Sequence, residues 1–179
     1  SCVSGSECFG GQLHFRHSIG VTVSNLEIDG NNNHISGLAF GEINKYARNV
    51  KVTNVTVYNH AGDDPPNDSG IGFTAENSQI TFNSCISYNN LKGWDLGQGG
   101  ADGSIDIMYK IINSTAYNNK WGINLNTAGA GIANYTGNVK FFLINNIIRD
   151  NTNYGSEIYC GPYNLYAVHN VYDNNGWLS

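Results

Sequence analysis

The chain has 179 residues, a formal net charge of −5 and 13% charged residues, and its length suits one domain with a full core. The acidic balance disfavours nucleic acid and anionic membranes as partners. No apolar run approaches the ~18 residues of a membrane span, so a membrane-spanning segment is not expected.

A unit of about thirty residues recurs along the chain, which we treat as a single domain over residues 1–179. Each copy has an alternating apolar stretch, two spaced asparagines, and a Gly followed by Ile or Trp. The first polar position falls at Asn25, Asn54, Ser84, Asn113, Asn146 and Asn170. Alternation at this period, without a helical half, predicts an all-β fold: a single-stranded right-handed parallel β-helix (solenoid) of about six coils.

Asparagine is the unusual residue of this sequence, with 28 copies. Asparagine and glycine are poor helix formers, which excludes a helical bundle. Stacked at the bends of a solenoid, asparagine adopts the left-handed conformation cheaply and bonds to the next coil through its amide. We therefore expect asparagine ladders, with the following residue pointing inward: Leu26, Val55, Cys85, Ser114, Ile147 and Val171.

The N-terminal segment, residues 1–12, is predicted to be irregular, and Cys2 and Cys8 are placed to close a small loop by a disulfide. The sequence opens at Ser1 with no basic and apolar leader, so we expect that a signal peptide has been removed or that the chain is a segment of something longer. Cys160 is either free or tied to this segment. Sequons at Asn67 and Asn134, in irregular stretches, are better glycosylation candidates than those at Asn54 and Asn113, which are ladder positions. Together these features predict a secreted or cell-surface protein.

Two inserted loops, residues 61–70 and 97–106, interrupt the coils, and both are acidic. Closely placed carboxylates are hard oxygen ligands that suit Ca²⁺. The candidate calcium ligands are Asp63, Asp64 and Asp95; the alternative is that these carboxylates belong to solvated turns.

A polar stripe is predicted by counting eleven residues past the ladder positions, which gives Asp95, Asn124 and Glu157, one coil apart. Trp94 and Trp121 fall close to the same bend. Carboxylate and amide groups beside tryptophan hold sugars, so these five residues are candidate glycan-binding residues, with a polysaccharide or a cell-surface glycan as the partner. The alternative is that the tryptophans pack inside the coil.

Residues 54–125 carry motifs in a characteristic order: Gly72-Phe73, then Tyr88-Asn89-Asn90, then Gly93-Trp94-Asp95-Leu96. A second Tyr-Asn-Asn follows at 117–119, and Gly122-Ile123-Asn124-Leu125 closes the series. This order resembles the family 9 pectate lyases, which are β-helix enzymes that cleave polygalacturonate by calcium-assisted β-elimination.

The resemblance implies a calcium site and a lysine base at defined positions. The calcium positions read Ile71, Leu91-Lys92 and Asp95 here, and the base falls on Asn124. An amide cannot take a proton from carbon and an isoleucine cannot bind a cation. A lyase would therefore need a rebuilt site, with Lys92 as its candidate base.

These observations favour a non-catalytic extracellular structural or adhesive module that binds glycan or stacks end to end into a fibre. The alternative is a polyuronate lyase with a divergent site. Uncovered strand edges invite pairing with another chain, so end-to-end self-association is the second expected partnership.

Overall fold

A computed structural model of the chain describes residues 11–32, 35–41, 46–60, 70–97, 106–126, 138–159 and 163–176. These residues form sixteen β-strands: Gly11–Phe15 (β1), Thr22–Asp29 (β2), Ser36–Phe40 (β3), Val50–Tyr58 (β4), Ile71–Glu76 (β5), Gln79–Asn83 (β6), Ile86–Tyr88 (β7), Lys92–Gly97 (β8), Ile107–Ile112 (β9), Thr115–Tyr117 (β10), Trp121–Asn126 (β11), Val139–Ile144 (β12), Ile147–Arg149 (β13), Tyr154–Tyr159 (β14), Asn164–Val168 (β15) and Val171–Asp173 (β16).

The strands pair in parallel in two sheets, as a β-helix requires. The smaller sheet has the order β1-β3-β5-β8-β11-β14, and the remaining ten strands form the other sheet. Four successive turns contribute three strands each, and two units of two strands, β1-β2 and β3-β4, precede them. The expected fold class is confirmed, and the expected six coils are corrected to about four regular turns. The difference arises because β2 and β4 each continue through a left-handed asparagine, Asn25 and Asn54, where later coils have a strand break, so the first two units have two strands each.

The N-terminal boundary also differs from the prediction, because Gly11 and Gln12 already belong to β1. Residues 1–10, and the inserted loops at 61–69 and 98–105, lie outside the described residues. Gly97, expected to open the second loop, is the last residue of β8.

A continuous apolar core runs through the middle of the solenoid, built from inward positions of successive coils. Phe73 stacks on Trp94 with ring centroids 4.9 Å apart, and both rings pack edge-on against Phe82. Cys85 is fully buried, as its inward position predicts. Aromatic stacking between adjacent coils follows from their regular spacing of about 4.8 Å.

The bends of the solenoid explain much of the asparagine excess. Of the fifteen non-glycine residues with positive φ among those described, twelve are asparagines, and all fifteen have φ between 46° and 59°. Asparagine reaches this left-handed region at low cost. Side chains at these positions also bond from coil to coil, as Asn54 Nδ2 donates to Asn25 Oδ1 over 2.8 Å.

A second set of asparagines points inward, and here the predicted register is wrong for the last two coils. Asn145 and His169, rather than Asn146 and Asn170, take the left-handed position. Asn146 is buried and its Oδ1 accepts from the backbone N of Ser114 over 2.9 Å. Ile147 and Val171, expected inside, are therefore turned outward and are 46% and 56% exposed.

The inner row at the second bend is formed by His60, Asn90, Asn119, Asn151 and Asn175. Each asparagine Oδ1 accepts from the backbone N of the preceding member, over 2.9–3.2 Å. Each Nδ2 also donates to a backbone carbonyl of the preceding coil, such as Ser87 O for Asn119 and Ala116 O for Asn151. The inner row thus supplies partners for backbone groups that the bends bury.

Candidate functional site

The outer face of the smaller sheet carries a row of functional side chains that we call the strip: Lys92, Asp95, Trp121, Asn124 and Glu157. Strand register aligns Asp95, Asn124 and Glu157 on adjacent coils, in the order that the repeat spacing predicts. Lys92 and Trp121 are aligned in the neighbouring column, which Tyr154 continues. Between the two columns each strand has two consecutive buried residues that begin with glycine, such as Gly93-Trp94 in β8 and Gly122-Ile123 in β11.

Direct contacts join three members of the strip. Lys92 Nζ lies 3.1 Å from Asp95 Oδ2, and Asn124 Nδ2 donates to Asp95 Oδ1 over 2.8 Å. Lys92 and Asn124 are buried, with 8% and 6% of their surfaces exposed, and the Asp95 side chain is 20% exposed. Paired side chains that are largely buried have few other rotamers open to them. Lys92, Asp95 and Asn124 are therefore held in place before any ligand binds.

Trp94 does not belong to the strip, contrary to the prediction. It is fully buried and stacks on Phe73 inside the coil. Gly93 lies at the bend, where an added Cβ would come within 3.0 Å of Asn119 Nδ2. Gly93 and Trp94 therefore both face inward, and for Trp94 the stated alternative holds, since it packs inside the coil.

Trp121 remains at the surface as a half-buried side chain at the start of β11. Lys120 Nζ lies 4.8 Å from the centre of its ring and Lys92 Nζ lies 6.0 Å away. Such cation–ring contacts are attractive and favour this position of the ring. Tyr154 follows on the next coil and is also half-buried.

Glu157, on β14, is the last residue of the polar column. Partial burial raises the pKa of Glu157, the Lys92 ammonium opposes this, and the Asp95 carboxylate adds to it. Glu76, two residues after the Thr74 partner of Asp95, lies on the same outward face. Carboxylates thus outnumber lysines around the strip.

Of the three predicted calcium ligands the structure describes only Asp95, because Asp63 and Asp64 lie outside the described residues. Both oxygens of Asp95 already accept from nitrogen donors, Lys92 on one side and Asn124 on the other. Among the described residues no group of three His, Cys, Asp or Glu side chains is placed to hold a metal ion.

The two positions that bear on catalysis have defined surroundings. Asn124, at the base position of the lyase motif, donates to Asp95. Lys92, the candidate base of a rebuilt site, is paired with the same carboxylate. A lysine must be deprotonated to act as a general base, whereas an adjacent carboxylate favours the charged ammonium.

The remaining predicted sites are outside the described residues: the Cys2 and Cys8 pair, Cys160, and the sequons at Asn67 and Asn134. The other two sequons, at the ladder positions Asn54 and Asn113, lie within the described residues. Asn54 and Asn113 are exposed, and each Nδ2 donates to an asparagine of the preceding coil.

His60 is a residue whose place the sequence did not reveal. It occupies the inner row where later coils have asparagine, and it is fully buried. Its Nδ1 lies 2.7 Å from Ile35 O, and its Nε2 is buried with no hydrogen-bond partner. The signal that places His60 in the inner row is its alignment with Asn90. Each of the two residues follows a left-handed asparagine, Asn59 or Asn89.

No protein-family model matches the chain, and no curated protein or solved structure matches it either. The likeness to the family 9 pectate lyases therefore rests on the sequence motifs. No helix long and apolar enough to cross a membrane occurs in the described part of the chain.

Proposed function

We propose that the chain is a non-catalytic extracellular β-helix module that binds a glycan along the strip. The observation that carries this proposal is the bonded set Lys92–Asp95–Asn124 beside the Trp121 ring. Sugars combine apolar CH faces with hydroxyl groups, so an aromatic ring next to fixed polar groups suits them. A coil spacing of about 4.8 Å is also close to the length by which one pyranose residue extends a polysaccharide.

The contacts of Lys92 and Asn124 support binding rather than catalysis. β-Elimination needs a base that removes a proton from carbon. In the strip, the amide of Asn124 has no such chemistry and the Lys92 ammonium is committed to Asp95. The alternative polyuronate lyase would need its base and calcium ligands from other parts of the chain.

Binding is tested by affinity electrophoresis and a glycan array, with Trp121→Ala as the strip variant and Tyr166→Ala as the control. Tyr166 is a 50% exposed aromatic residue on the other sheet. We expect Trp121→Ala to lose binding and Tyr166→Ala to keep it. Absence of glycan binding by the unaltered chain, or equal loss in both variants, would overturn the proposal.

Catalysis is tested separately by incubating the chain with polygalacturonate and calcium and following the ultraviolet absorbance of unsaturated product. We expect no rise. A rise that EDTA abolishes and that Lys92→Met removes would replace the binding module with the lyase.

End-to-end self-association is a second proposed partnership, with another copy of the chain as the partner. Strand edges at the end of a stack of coils pair with another chain unless they are covered, which is the physical basis of this proposal. Sedimentation velocity over a range of concentrations tests it: a mass that stays monomeric throughout would refute it.

A further inference from the structure

The Asn124 carboxamide gives the strip a preference among glycans. We infer that the strip selects neutral glycans, through a sugar hydroxyl that donates to Asn124 Oδ1, and disfavours polyuronates. The inference rests on the proposed glycan binding and names the ligand class of that site. It differs from the substrate class that the pectate lyase resemblance implies.

The orientation of Asn124 is set by its neighbour. Its Nδ2 donates to Asp95 Oδ1 over 2.8 Å, and the carboxylate can only accept. A flipped amide would place Oδ1 against the Asp95 oxygen. The pair Lys92–Asp95 holds that carboxylate in position. Asn124 therefore presents an oxygen, and not a nitrogen, as its second polar atom.

This oxygen has no partner in the free chain. Asn124 is 6% exposed, and Oδ1 is buried with no hydrogen-bond donor. A buried acceptor without a donor costs about 1–3 kcal/mol, and few such groups occur in native proteins. The missing group must be a donor, which a sugar hydroxyl provides. A uronate has a carboxylate, which only accepts, in place of the C6 hydroxyl of the neutral sugar, but its ring hydroxyls remain donors, so the charges below decide between the two classes. Because the atom is shielded from water, a ligand reaches it by displacing a covering side chain.

The charges around Asn124 point the same way. Asp95 and Glu157 flank it on the two neighbouring coils, and Glu76 lies on the same face. The Lys92 ammonium and the Asp95 carboxylate neutralise each other, which leaves the carboxylates of Glu157 and Glu76 and the ammonium of Lys120, beside the Trp121 ring, to act on a further anion. A uronate polymer would bring a carboxylate at every residue to this acidic surface, with repulsion that falls as salt is added. A neutral glycan avoids this cost.

The test uses two β-1,4-linked ligands that share one backbone: cello-oligosaccharide and its C6-oxidised glucuronate form. Binding is measured by calorimetry at low and moderate salt, after a glycan array has shown whether the chain binds any glycan. If the array favours another backbone, its neutral and uronate forms replace this set. We expect the neutral ligand to bind, and the uronate to bind about tenfold more weakly.

Asn124→Ala is the variant for the acceptor, and Asn164→Ala is its matched control, since Asn164 is exposed on the other sheet. We expect about a tenfold loss of neutral-glycan affinity in Asn124→Ala and no loss in Asn164→Ala. Glu157→Gln provides a second measurement that does not disturb Asn124. It is expected to raise uronate affinity relative to neutral affinity.

Each result has a distinct meaning. Preference for the uronate, or full neutral affinity in a folded Asn124→Ala variant, overturns the inference but leaves glycan binding standing. An unchanged ratio in Glu157→Gln overturns the charge argument and with it the inference. Absence of binding to every array glycan overturns the proposed function itself.

Discussion

Asn119 is the most informative position for testing how the inner row stabilises the solenoid. It is buried, its Oδ1 accepts from the backbone N of Asn90, and its Nδ2 donates to Ser87 O and Asn151 Oδ1 over 3.1 Å each. The neighbouring Asn118 is exposed and bonds to Asn89 in the outer row. The two residues thus allow one chemical change to be compared at a buried and an exposed site.

Asn119→Asp keeps the acceptor for Asn90 but replaces two donated hydrogen bonds with an oxygen facing two acceptors. Each lost bond costs about 1 kcal/mol, and burial of an uncompensated carboxylate adds to this. We expect a loss of about 3 kcal/mol or more at pH 7, which corresponds to a fall in Tm of about 6–12 °C for a chain of this size. Asn118→Asp is expected to change stability by less than about 0.5 kcal/mol.

The pH dependence separates a buried charge from a simple loss of packing. Burial without a cation raises the pKa of the introduced carboxyl above its unfolded value. Its penalty is therefore full above the folded pKa and shrinks as the pH falls through that value. Urea unfolding followed by circular dichroism at pH 7 and pH 4.5 measures this. Equal destabilisation by Asn119→Asp and Asn118→Asp, or a penalty that does not shrink in acid, would refute the reasoning.

Three further predictions use other buried or stacked groups. Burial lowers the pKa of His60 below its ordinary value of 6.5, with partial opposition from Ile35 O and Asp29. The contribution of neutral His60 to stability is therefore full above about pH 6.5 and falls with decreasing pH. His60→Asn, which extends the inner row, should flatten this pH dependence of Tm. Burial raises the pKa of Cys85 to about 11, so peptide mapping should show its alkylation only after unfolding; labelling of Cys85 at the rate of a free thiol in the native chain would contradict the structure. Tyr88 stacks between Tyr58 and Tyr117 with centroids 4.8 and 4.9 Å apart, so Tyr88→Ala should cost about 1–3 kcal/mol in urea unfolding, whereas Tyr88→Phe should cost less than about 1 kcal/mol.

The repeat carried most of the fold prediction, because a parallel solenoid places equivalent residues of every coil in one column. A constant interval between polar positions then predicts which side chains meet. Asp95, Asn124 and Glu157 were predicted in one row on that basis, and the strand register aligns them. The interval does not reveal bonds within the row, such as the ion pair between Lys92 and Asp95.

The register failed where two polar residues stand together. In Asn145-Asn146, either residue suits the left-handed position or the inner row by its chemistry. Bonding to neighbouring coils decides, because the buried backbone N of Ser114 needs an acceptor and Asn146 supplies it. Trp94 was misplaced because a count from the ladder position gives its distance from the bend but not the face of the strand, and the structure buries both Gly93 and Trp94.

The sequence by itself determined the solenoid, since asparagine, glycine and alternating apolar residues at a regular interval allow bends, strands and a core only in that arrangement. Tertiary structure alone decided which polar groups are buried and which stay at the surface. That choice depends on unpaired backbone groups of adjacent coils, which are distant in the chain. Asn124 shows both parts: its column follows from the repeat, whereas its buried, partnerless oxygen exists only once three coils have stacked.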